Sequence, residues 1–170
     1  MEEAAFYKET EDEIWIRAEG HITAAFCPEL KSRAFARIDG DRPPTAIRMD
    51  LSSCEYMDST FLGLIVGMNK RLVHKNGHKV RLHQPGQACL SLLKTIGVLA
   101  LLDITRDPAR FEGSFERIGP GPRATAEFLL DAHEHLSNLS EENRERFSTL
   151  TTVLKKSIDQ ELETEEKGGD

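Results

Sequence analysis

Residues 50–75, DLSSCEYMDSTFLGLIVGMNKRLVHK, constrain this chain more than any other stretch. An apolar segment runs into a short polar junction, and apolar residues spaced by three and four follow. That order predicts the end of a buried strand, a short loop and a helix. The junction carries Tyr56, Met57, Asp58, Ser59 and Thr60. A helix start has unsatisfied N–H groups and the positive end of the helix dipole, so Asp58 or Ser59 is suited to cap it. Leu62, Ile65, Val66, Met68, Leu72 and Val73 make the inward face; Phe61 and Leu64 fall outside the narrowest stripe, which predicts a first turn partly exposed and apolar. Asn76-Gly77 supplies the stop, with a residue able to take positive φ. Gly63 and Gly67 form a GxxxG pair, which in a helix of a water-soluble protein permits close packing of another helix.

Upstream, residues 4–7 and 13–19 read as two strands. In the second, Ile14, Ile16 and Ala18 alternate with Trp15 and Arg17, and Gly20 is expected to end it at an edge or half-exposed position. Trp15 packs against a neighbour in the simpler reading and binds a ligand in the other. Residues 23–38 are helix-like, and 45–51 form a mostly apolar strand suited to the middle of a sheet. Downstream come a strand at 78–83, a short helix at 87–96 ended by Gly97, and a last strand within 99–105. The predicted order is β-β-α-β-α-β-α-β, an α/β fold with a mixed sheet of about five strands and helices packed on it.

Residues 111–122 hold Gly113, Gly119, Pro120, Gly121 and Pro122 and read as a connector, on which Phe111 and Phe115 are placed to dock against the domain. Two amphipathic helices are predicted over 123–162, the second capped by Ser140, with an acidic frayed tail at 163–170. Their apolar stripes must be buried against the domain, each other or another chain, and packing within the chain is the ordinary outcome. A homodimer through these helices is the remaining use.

The formal net charge of −7 argues against a phosphate-backbone binder, so no nucleic-acid partner is expected. No apolar run reaches membrane-spanning length, and the acidic start MEEAAFYKE lacks an apolar signal core, so the expectation is a cytoplasmic protein with no membrane partner. Cys27, Cys54 and Cys89 are far apart and unpaired in pattern, which suits buried small side chains better than disulfides or zinc ligands. None of His21, His74, His78, His83, His133 and His135 falls in a metal-binding spacing; each reads as a solvated histidine. GxSxG, GxxxxGK[ST] and GxGxxG are absent from the sequence, so nothing supports an enzyme, a metal site or a cofactor site.

The element order together with YMDSTFLG resembles the STAS domain family, and more narrowly the bacterial anti-sigma factor antagonists. Asp50-Leu51-Ser52, Tyr56-Met57-Asp58-Ser59-Thr60 and Leu62-Gly63 match the family hallmark; Gly20, Asn76-Gly77 and Ile96-Gly97 fit as well. The resemblance implies a STAS domain over 1–110, with Ser59 as phosphoacceptor and Thr60 as the less favoured neighbouring hydroxyl. It implies a partner-binding surface of Tyr56, Met57, Asp58, Ser59, Thr60, Phe61 and Leu62. It further implies binding of a serine-kinase anti-sigma factor of histidine-kinase-like ATPase fold, release on phosphorylation, and resetting by a serine phosphatase. Phe61 departs from the pattern, which has glycine there, and implies added bulk beside the acceptor. The alternative within the family is a scaffold, or a transport or lipid accessory subunit, in which Ser59 and Thr60 only cap the helix.

Overall fold

The computed structural model describes residues 2–169. Its elements run β1 (Ala4–Glu9), β2 (Glu13–Ile22), α1 (Cys27–Ile38), β3 (Ala46–Met57), α2 (Ser59–Asn76), β4 (Arg81–His83), α3 (Gln87–Ile96), β5 (Asp103–Thr105), β6 (Glu116–Ile118), α4 (Ala126–Ser137) and α5 (Glu141–Lys167). The strands form one sheet in the order β5-β4-β3-β2-β1-β6. β2 to β5 are mutually parallel, while β1 is antiparallel to β2 and to β6. The expected mixed α/β fold is therefore present, with six strands in place of about five.

Alternation along the strands sorts the side chains. Ile14, Ile16 and Ala18 of β2 and Ile47, Met49 and Leu51 of β3 join Leu30 of α1, Ile65 of α2 and Leu93 of α3 in one buried core. Trp15 and Arg48 alternate onto the opposite face. There Phe111 meets Trp15 edge-on at 5.4 Å, Phe115 meets Phe111 at 4.2 Å, and the Arg17 guanidinium lies 4.5 Å from the Phe6 ring. Trp15 is thus buried by packing, as the simpler reading had it.

Several boundaries differ from expectation. Gly20 does not end β2. It takes φ +70° between two register shifts, where any Cβ would meet the Glu2 carbonyl oxygen at 3.0 Å, and the strand resumes to Ile22. That extension pairs with Cys54, Tyr56 and Met57, so β3 runs well past residue 51. β2 also sits inside the sheet rather than at its edge. Residues 99–101 form a 3-10 turn before the short β5. The supposed connector at 111–122 contributes β6, held by pairing of Ile118 with Ala5. The tail expected to fray at 163–170 is helical to Lys167, and Asp170 lies outside the described residues.

The two C-terminal helices pack within the chain. α4 lies on α2, and α5 lies on α4. Leu136 is fully buried in the main core, and Phe147 packs against it. Asn143 ties the pair down: its side-chain amide donates to the carbonyl oxygens of Ile96 (2.8 Å) and Leu136 (3.0 Å). The Ile96 carbonyl is one of those left open at the end of α3, and its satisfaction anchors α5 to the domain.

Candidate functional site

The junction between β3 and α2 is built on Asp58. Its backbone is extended (φ −84°, ψ 174°), as an N-cap requires. One carboxylate oxygen accepts the Phe61 N–H at 2.9 Å, and the other accepts the Ala24 N–H at 2.9 Å. The Asp58 N–H in turn donates to the Ile22 carbonyl at 3.0 Å. One residue therefore caps α2 and fastens the loop after β2 to the loop after β3. Ser59 is left as the first residue of the helix, half-buried, with its hydroxyl free of capping duty.

That hydroxyl has a partner from outside the sheet domain. Ser59 Oγ lies 2.8 Å from His133 Nε2 on α4. His133 Nδ1 lies 2.6 Å from the Leu129 carbonyl oxygen, which can only accept, so Nδ1 carries the hydrogen. In the neutral ring Nε2 then accepts, and the Ser59 hydroxyl donates. His133 is only 3% exposed and packs against the Phe147 ring at 5.5 Å. The reading of His133 as a solvated histidine is corrected. It shares the inward stripe of α4 with buried Ala132 and Leu136 and half-buried Leu129, a spacing visible in the sequence.

The approach of α4 depends on glycine. A Cβ on Gly63 would fall 2.2 Å from the Ala132 carbonyl oxygen and 2.9 Å from its Cα. Gly67 is tight as well, with the His135 ring 3.2 Å from a Cβ position. The GxxxG pair is thus a seat for α4, backbone against backbone at Gly63 and backbone against the His135 side chain at Gly67. Beside it, Lys31 of α1 pairs with Asp131 at 2.8 Å, and its ammonium lies 5.0 Å from the Phe128 ring.

The expected docking residues divide. Tyr56 is 47% exposed, Asp58 and Ser59 are half-buried, and the Tyr56 ring lies 5.7 Å from His21. Met57, Thr60, Phe61 and Leu62 are buried. These four cannot form a docking face in this conformation, because Met57 ends a central strand and α2 turns the others toward the core. The expected exposed apolar first turn is corrected in the same way: Phe61 is in the core, and Leu64 is buried. Phe61 therefore adds no bulk beside Ser59.

Burial pushes the Cys27 thiol up, with nearby Asp58 acting in the same direction. Among the described residues no cluster of His, Cys, Asp and Glu has the arrangement of a metal site, and no helix is long and apolar enough to cross a membrane.

A sheet of this order carrying a capped helix start on its central parallel strand is the STAS architecture. Residues 5–103, more than half of the chain, match the family described as Mlab, STAS domain, and the chain belongs to the STAS domain family. It is 28% identical over 109 residues to the anti-sigma-B factor antagonist of Bacillus subtilis (strain 168), covering 64% of this chain and 94% of that relative. The solved structure of the anti-sigma factor antagonist SpoIIAA in its unphosphorylated form superposes with a TM-score of 0.52 at 18% identity, covering 60% of this chain and 89% of that one. A Thermotoga maritima crystal structure, provisionally assigned as an anti-sigma factor antagonist, gives 0.50 at 21% identity over 58% of this chain and 82% of its own. The family match ends before β6, so the α4–α5 hairpin and His133 lie outside it.

Proposed function

We propose that this chain is an anti-sigma factor antagonist that acts by binding, in the cytoplasm, without turnover of its own. With Ser59 unmodified it binds a serine-kinase anti-sigma factor of histidine-kinase-like ATPase fold and so frees a sigma factor. That kinase transfers the γ-phosphoryl group of ATP to the Ser59 oxygen, ADP leaves, and the modified chain is released; a serine phosphatase resets it. The observation that carries this reading is the Ser59 hydroxyl itself: outside the core, at the first position of α2, beside exposed Tyr56. Buried Thr60 is the poorer acceptor.

The physics is local. Phosphorylation adds about 1.5 to 2 negative charges next to Asp58. The N-terminus of α2 stabilises that charge, so the domain stays folded. A partner pressed onto the same spot meets charge repulsion and desolvation, and a coupling of roughly 1–3 kcal/mol changes affinity about 5- to 150-fold. The test is mass spectrometry of the full chain after incubation with ATP and a serine-kinase anti-sigma factor of histidine-kinase-like fold from the same organism, with binding measured for wild type, Ser59→Ala and Ser59→Asp. Phosphate at Ser59 and loss of binding in Ser59→Asp are expected. Equal affinity for all three proteins would remove the switch.

The second reading, a scaffold or a transport or lipid accessory subunit, is favoured by the Ser59–His133 hydrogen bond, which gives the hydroxyl a structural task. No phosphate at residue 59 together with unaltered binding would select it.

A further inference from the structure

We infer that the Ser59-to-Gly67 face of α2 is a helix-docking site whose occupant in the resting chain is its own α4, so that the hairpin and any kinase or partner compete for Ser59. The inference rests on the switch role given to Ser59 above and adds what controls access to it.

Three observations meet on this face. His133 Nε2 sits 2.8 Å from the Ser59 oxygen, in the space where an attacking hydroxyl would have to receive a phosphoryl group. Four residues along, the Ala132 backbone rests on Gly63 so closely that no side chain fits between them. Besides the burial of Leu136 and Phe147 in the core, the polar ties that hold α4 there are few and lie at its margins: Lys31 to Asp131 on one side, and Asn143 to the Ile96 and Leu136 carbonyls on the other. A kinase active site cannot enclose Ser59 while α4 occupies that space. A partner that replaces α4 must offer what α4 offers, a helix with a small residue over Gly63 and a hydrogen-bonding side chain beside it. Its apparent affinity is multiplied by the fraction of molecules in which the hairpin has left, so the apparent Kd is the intrinsic Kd divided by that fraction.

The test needs no kinase. The full chain carrying Ser59→Cys is treated with N-ethylmaleimide, and labelling of each cysteine is followed by mass spectrometry. Cys27, Cys54 and Cys89 are buried and report on opening of the core. A histidine beside the new thiol makes it more nucleophilic, so slow labelling of residue 59 measures obstruction. Adding Gly63→Ala favours α2 as a helix but is incompatible with the seated α4, and is expected to speed labelling at residue 59 about tenfold or more with the native thiols still protected. If the native thiols also react in that protein, Asn143→Ala decides instead. It cuts the strap away from α2 and should speed labelling about threefold. The inference is overturned by labelling of Ser59→Cys as fast as an exposed Ser32→Cys control, or by no acceleration in the deciding variant. A rate that rises on dilution would place another copy's helix on the face and also overturn it. A covered residue 59 that no kinase phosphorylates would sink the switch and leave the cover. A freely labelled residue 59 with binding lost in Ser59→Asp would do the reverse.

Discussion

Replacing Phe61 by alanine separates two accounts of the helix start. If Phe61 were part of a surface beside Ser59, its removal would alter partner binding and leave stability within about 0.5 kcal/mol. The structure instead places the whole ring in the core at 0% exposure. A buried phenylalanine covers about 150–250 Å² and its truncation to alanine costs about 3–5 kcal/mol, transfer and cavity together. Alanine returns about 0.5 kcal/mol of helix propensity within α2, for a net loss of about 2.5–4.5 kcal/mol. At about 2–4 °C per kcal/mol for a chain of this size, Tm should fall by about 5–18 °C. Thermal and urea denaturation followed by far-UV circular dichroism would measure this. A loss below about 1 kcal/mol, with an unchanged urea slope, would refute the placement of Phe61 and the account of the site built on it.

Asp58→Ala removes the α2 cap and the tie to Ala24, and should cost about 2–3 kcal/mol in urea unfolding, with Asp58→Asn retaining part of it. Tyr56→Ala, at a largely exposed position, should leave Tm unchanged and weaken capture of the kinase-type partner in a pull-down with purified proteins. Burial lowers the His135 pKa below its ordinary value; Asp131 opposes this, and Lys70, Lys31 and Arg71 act with the burial. The unfolded chain therefore binds more protons than the native one between that lowered value and about 6.5. Stability is complete above about pH 6.5 and falls as pH drops through it, so Tm measured from about pH 8 to 5.5 should decline, with a shallower slope in His135→Gln.

The sheet domain was legible because its signals are local. Ile14, Ile16 and Ala18 alternate in two-residue steps, Asp58 has cap chemistry, and Gly77 and Gly97 stop helices in the left-handed conformation. The GxxxG pair also carried its meaning, since small residues at helical spacing have few uses in a helix of a water-soluble protein. β6 was not legible: it is three residues amid glycine and proline, made a strand only by the exposed flank of β1, which is distant in sequence. The inward turn of Phe61 and Leu64 escaped because a helix covered on two sides, by the sheet and by α4, buries a wider arc than one stripe. His133 escaped because each histidine was weighed alone rather than against Leu129 and Leu136, its neighbours one turn away.

Both borders of the sheet are short. β5 offers three residues, β6 offers three, and the part of β1 that β6 leaves uncovered carries Lys8 and Glu9. Borders of that length and charge give a foreign strand little to zip onto, which protects the chain from stacking into fibres at high concentration. The same economy disfavours recognition by main-chain addition at these borders and leaves partners to read side chains, with exposed Tyr56 at the end of β3 among them.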